Sequence, residues 1–289
     1  MSSLAPARPE PFGARLAAAM AERGQLCAGI DPHPGLLAAW GLGDDVDGLR
    51  SFSLAALEAF APVVAAIKPQ VALFERYGSA GIAVLEELLA SARGAGVLTI
   101  ADAKRGDIGS TMAAYAEAWL RDGSPLAADS VTLSPYLGFE SLRPALDLAE
   151  ATGRGVFVLG LTSNPEGASV QHVGGDRSVA RGIVDAVRAE NVAAAQRTDA
   201  VPGLGHTGLV IGATVGEALE RLGIDLGTTA APILAPGFGA QGATAEDLRV
   251  LFDTAWPQVL ATSSRGLLAA GPDGSALRAA AERTRDALA

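Results

Sequence analysis

Short β-branched or apolar runs alternate along the whole chain with alanine-rich stretches of helical periodicity. The runs predict strands over 26–31, 63–68, 97–102, 130–133, 156–161, 209–213, 232–235 and 259–262, each of a length suited to a buried parallel strand. Between them the apolar spacing predicts helices over 51–60, 79–95, 110–120, 142–151, 178–197, 215–222 and 244–252, with 275–288 closing the chain. Thr244 followed by Asp247 reads as a helix N-cap with a first-turn acid. Strands alternating with helices imply parallel pairing, and eight such units suit an α/β fold of the (β/α)8, or TIM barrel, type. An open doubly wound sheet is the alternative. The expected organisation is a single barrel domain over 1–289, with a polar leader at 1–11 and a long insertion at 163–207 after the fifth strand. Residues 164–177 read as a lid or as a solvent-facing excursion.

The polar residues favour the barrel. Asp31, Lys68, Asp102 with Lys104, Ser163 and Arg265 all fall at or just past the C-terminal end of a predicted strand, where barrel enzymes build their sites. The densest group is ADAKRGDIGST at 101–111, which places Asp102, Lys104 and Asp107 in one turn after an apolar strand. Asp102 and Lys104 have strand spacing, and Asp107 lies on the following loop or first helical turn. A lysine between two carboxylates is expected to have a raised pKa and to remain a proton donor at neutral pH. The plain reading is an exposed loop with a salt bridge worth about 0–1 kcal/mol. Two late segments suit an anion. PGFGAQGAT at 236–244 is a glycine-rich turn entering a helix, and SSRG at 263–266 follows the last strand, which makes Gln241 and Arg265 phosphate candidates. Glycine clusters also serve simply to turn a tight loop. In LTSNPEG, Ser163 and Asn164 offer a hydroxyl and an amide to a base edge, although both types also favour turns.

Composition narrows the classes. With 289 residues, 49% of them hydrophobic and 19% charged, the chain has ample material for a large core. Its 22 Lys and Arg against 32 Asp and Glu give a net charge of -10, which argues against a nucleic-acid or anionic-membrane surface. No apolar run approaches the length of a membrane span, so a cytoplasmic enzyme is the expectation. The single cysteine, Cys27, reads as a small core residue, and His33, His172 and His206 read as loop residues rather than metal ligands.

Taken together, GIDPH at 29–33, IKPQ at 67–70, ADAKRGDIGST, PGFGAQG at 236–242 and Arg265 resemble the orotidine 5'-phosphate decarboxylase family, and the insertion and alanine-rich composition resemble its longer bacterial branch. The resemblance implies cofactor-free decarboxylation of orotidine 5'-monophosphate to UMP, the last step of de novo pyrimidine synthesis, with no metal, in a homodimeric barrel. It implies that Lys104 protonates C6, that Asp102 and Asp107 complete the charged array, and that Asp107 and Thr111 serve the neighbouring subunit's site. Asp31 and Lys68 would hold the ribose, with Lys68 also tied to the array and Thr111 adding a ribose contact. Ile108 and Asn164 join the implied substrate contacts. Ser163 would meet the pyrimidine amide edge, and Gln241, Arg265 and backbone near Ser264 would grip the phosphate. Two rivals stand beside this. One is a metal-dependent sugar-phosphate decarboxylase or hexulose-phosphate synthase on the same barrel, which resembles this chain but carries a magnesium-holding glutamate where Lys68 stands. The other is a catalytically silent nucleotide-binding barrel, for which a buried charge cluster would be a cost without a use.

Overall fold

The computed structural model describes residues 9–198, 203–239 and 243–289. Eight strands form a closed parallel barrel in chain order: β1 (Leu26–Ile30), β2 (Ala66–Pro69), β3 (Leu98–Arg105), β4 (Ser130–Leu133), β5 (Gly155–Leu161), β6 (Thr207–Ile211), β7 (Ile233–Pro236) and β8 (Val259–Ser263). β8 pairs with β1 and leaves no open sheet edge. The TIM barrel is therefore the fold, and the open sheet is set aside. β2 starts later than the apolar run suggests, because the Val63 and Val64 amides both bond Phe60 O and extend the preceding turn. β3 runs three residues further, through Arg105.

All eight expected helices are present, and Thr244 and Asp247 form a reciprocal capping box. Among the described residues five further α-helices escaped the periodicity: Phe12–Arg23, Pro34–Ala39, Val71–Glu75, Ala168–Gln171 and Arg265–Leu268. The first of these matters most for the fold. It begins at Phe12, directly after the polar segment, and closes the bottom of the barrel. Phe12, Leu16 and Met20, spaced by four, lie against the barrel interior residues Cys27, Ile100, Phe157 and Leu260. The Phe12 and Phe157 rings meet edge to face at 5.9 Å. Such side chains contribute about 1.5–3 kcal/mol each on full burial. The fit demands glycine at the start of β5, since a Cβ on Gly155 would come within 2.2 Å of the Phe12 ring. In this layer Cys27 is fully buried, and burial pushes its thiol up to about 12 despite the opposing Lys68 charge.

The stretch 163–207 divides in two. Two 3-10 turns, Pro165–Gly167 and Gly175–Arg177, flank the short α-helix Ala168–Gln171, and then the helix Val179–Thr198 packs Ala180, Val184 and Val187 into the main core. That helix is a regular member of the outer ring. No described helix is long and apolar enough to cross a membrane.

Candidate active site

β2, β3 and β4 lie side by side, and their C-terminal ends bring three polar side chains onto one carboxylate. Asp102 Oδ2 accepts from Lys68 Nζ at 2.9 Å, and Oδ1 accepts from Lys104 Nζ at 2.6 Å. Oδ1 also accepts from Thr132 Oγ1 at 2.9 Å. Burial alone would raise the Asp102 pKa, but the Lys68 and Lys104 charges, with the hydrogen bonds from both, hold it well below the carboxylate range. For Lys68, burial would lower the pKa, but the charges of Asp102 and Asp31 outweigh it and keep the ammonium firmly protonated. The exposed-loop reading of this segment fails: the Asp102 and Lys68 side chains are only 9% and 6% exposed. Lys104 differs, with a side chain 46% exposed at the mouth of the barrel.

Local backbone explains how Asp102 and Lys104 share a face. Lys104 has φ 47, in the left-handed region, and the β3–β4 register shifts between Ala101 and Arg105. Around the barrel, Asp31 follows β1, and its buried Oδ1 has no hydrogen-bond partner among the described residues. The loop after β8 folds over the same place. A Cβ on Gly29 would come within 1.8 Å of Ser264 Oγ and 3.3 Å of Asp31 Oδ1, so glycine is required for that approach. The loops after β7 and β8 also converge: Cβ atoms on Gly239 and Gly266 would lie 4.0 and 3.6 Å from Ser263 Oγ. Gly239 N–H donates to Ala243 O at 3.0 Å and closes the β7 loop.

Other expected residues are placed less decisively. Arg265 is exposed at the start of Arg265–Leu268, and Gln241 lies outside the described residues. The exposed Ser163 follows β5 close to Gly212, where a Cβ would lie 3.1 Å from Ser163 Cβ. Asn164 bonds within its own loop, to Thr162 at 2.7 Å and Glu166 at 3.1 Å. Asp107 corrects the picture of a lysine flanked by two acids in one chain. Its Oδ1 accepts from the Ile108 amide at 2.8 Å, and the only ion pair of Lys104 among the described residues is with Asp102. The reason is the Gly106 to Ile108 segment, which leaves the barrel before the helix Gly109–Leu120. Ile108 and Thr111 are exposed on the same rim.

His206 also departs from expectation. It sits in the connection before β6 but is buried, within 4.8 Å of carboxylate oxygens of Glu150 and Glu190. Arg143 bonds Glu190 at 2.8 Å, and Arg197 bonds Glu150 at 2.6 Å. A divalent cation there would face two fixed guanidiniums, so this group reads as an ion-pair network. Thr132 is the site residue that sequence reasoning missed. No sequence signal marked it: only the register, one step past the pair Ala101 and Val131, shows that it lies beside Asp102.

With this geometry in view, the family model for the orotidine 5'-phosphate decarboxylase / HUMPS family matches residues 24–280. The chain belongs to that family. A relative in Salinispora arenicola, an orotidine 5'-phosphate decarboxylase, is 56% identical over 276 residues, covering 95% of each chain. A solved chain from Streptomyces avermitilis is 53% identical with a TM-score of 0.91, covering 100% of this chain and 98% of that one. The solved OMP decarboxylase of Leishmania donovani is 30% identical with a TM-score of 0.74, covering 96% of this chain and 97% of its own. The relatives at more than half identity carry the decarboxylase name, which does not favour the metal-dependent alternative.

Proposed function

We propose that the C-terminal mouth of the barrel is the site at which this chain decarboxylates orotidine 5'-monophosphate to UMP and carbon dioxide, with Lys104 as the proton donor. The activity itself, a step of pyrimidine biosynthesis, is that of the family and of relatives at more than half identity. The observation that carries the assignment of residues is the single carboxylate of Asp102 shared by two lysines, one buried and one at the mouth.

Loss of carbon dioxide from C6 leaves an electron pair in the plane of the pyrimidine ring, out of conjugation with its π system. Stabilisation then has to come from fixed positive charge at that carbon and from prompt protonation. Lys104 supplies both: its ammonium is aimed by Asp102, and one N–H proton passes to C6 as the C–C bond breaks. The Asp102 carboxylate opposes the substrate carboxylate before reaction and loses that repulsion as carbon dioxide leaves. Lys68 keeps Asp102 ionised throughout. The orphaned Asp31 oxygen suits a ribose hydroxyl, and Arg265, Gln241 and Ser264 suit the phosphate, whose remote binding energy aligns the base. Ser163 and Asn164 are assigned to the base side.

Asp107 and Thr111 are assigned to the site of a second copy. Support comes from their rim, where Ile108, Tyr136 and Leu137 are 60%, 78% and 54% exposed, an apolar surface suited to a homodimer contact. The test is a spectrophotometric assay with orotidylate, with and without EDTA. Turnover unchanged by the chelator is expected. Chelator-sensitive turnover would return the chain to the metal-dependent branch, and none at all would leave a nucleotide binder.

A further inference from the structure

We propose that Thr132 is a positioning residue for the decarboxylation array, holding Asp102 and the backbone of Lys104 in one fixed ring. This rests on the role assigned above to Lys104.

The register of β3 against β4 poses the problem that Thr132 solves. Ala101 pairs with Val131 and Arg105 with Leu133, so Asp102, Ala103 and Lys104 together face the single residue Thr132. Such a bulge takes amides out of the ladder, and it puts Lys104 at φ 47, which L residues rarely adopt. The Lys104 amide is recovered by a side chain: it donates to Thr132 Oγ1 at 2.9 Å. Thr132 Oγ1 donates in turn to Asp102 Oδ1 at 2.9 Å, the same oxygen that receives Lys104 Nζ at 2.6 Å.

The direction of each bond is forced. An amide only donates, an ionised carboxylate only accepts, and a hydroxyl has one proton, so Oγ1 accepts from Lys104 and gives its proton to Asp102. The ring therefore closes from Lys104 N–H through the hydroxyl and carboxylate to Lys104 Nζ. Thr132 is 1% exposed and β-branched, so its hydroxyl has little freedom to leave that position. Nothing in the ring requires Thr132 to touch substrate. Its work is to fix where the ammonium points while the bulge holds the lysine at the mouth.

The isosteric Thr132→Val removes both hydrogen bonds and keeps the volume. We expect kcat to fall about 10- to 100-fold, the order for losing a hydrogen bond to a charged group, with the KM for orotidylate and the affinity for UMP within about threefold. Thr132→Ser keeps the hydroxyl and is expected to retain kcat within about threefold. Should the valine variant fold poorly, Thr132→Ala against Thr132→Ser carries the same contrast. Equal losses in the serine and alanine variants would overturn the proposal, as would wild-type kcat in Thr132→Val beside an inactive Lys104→Ala. Full turnover in Lys104→Ala as well would instead remove the array on which the proposal rests.

Discussion

Two networks of charge are tucked into this barrel, and they are built on opposite principles. At the mouth, Asp102 is shared by Lys68 and Lys104, and a buried oxygen of neighbouring Asp31 has no partner among the described residues. Between the helices Arg143–Thr152 and Val179–Thr198, Glu190 receives both Arg143 and Arg197, and Arg197 also binds Glu150. The outer network matches its charges with partly exposed arginines and leaves its carboxylates occupied. The mouth keeps polar capacity unspent, which costs stability unless a ligand uses it. His206 Nε2 beside the outer network is also buried without a hydrogen-bond partner among the described residues, so the contrast rests on the carboxylates: Glu150 and Glu190 are held by arginines, whereas an Asp31 oxygen at the mouth is left open.

The largest expected effect lies at the mouth. Lys104→Ala should lower turnover by at least about 10³-fold while UMP binding and melting temperature stay near wild type. Mixed with Asp107→Ala chains, it should recover roughly a quarter of wild-type activity through hybrid dimers with one intact site. Hybrids that form and stay inactive would refute the shared site. Next in size, Arg265→Ala should weaken kcat/KM for orotidylate by about 2–5 kcal/mol, and unchanged kinetics would take Arg265 out of the phosphate grip.

Glu190→Gln should show the reverse pattern. Denaturant unfolding is expected to report a loss of about 1–3 kcal/mol, tempered by the exposure of the two arginines, with kcat unaltered. A fall in kcat at unchanged stability would erase the distinction between the networks. The smallest effect concerns His206. Burial lowers its pKa below the ordinary value near 6.5, and Arg197 and Arg143 lower it further against the raising effect of Glu150 and Glu190. Above both values the ring is neutral in the folded and unfolded chain. As pH falls through about 6.5 the unfolded chain takes up the proton first, so stability declines by less than about 1.4 kcal/mol per pH unit. Replacing His206 with Asn should flatten that slope in thermal melts between about pH 7 and about pH 5.

Much of the architecture was legible in the chain. Short continuous apolar runs located all eight strands, and period-3.6 patterning located the eight helices of the expected set, because parallel barrel strands are buried on both faces and the helices on one. The bottom helix Phe12–Arg23 was not, since three apolar residues amid alanines and arginines acquire meaning only against Phe157 and its neighbours. Asp102, Lys104 and Lys68 were legible as strand-end charges. Thr132 was not: a threonine in a strand is ordinary until the neighbouring strand bulges beside it.

The sequence by itself determined the alternation that closes a barrel and the motifs that mark its reactive end, since both depend on neighbours a few residues apart. Tertiary structure alone decided which charges share a carboxylate, that Asp107 turns away from Lys104 within its own chain, and that His206 is enclosed by Glu150 and Glu190. Those outcomes depend on the angle and register at which strands and helices distant in the chain meet. Hydrogen bonds and ion pairs reach only about 3–4 Å, so a displacement of one residue in that packing makes or removes them.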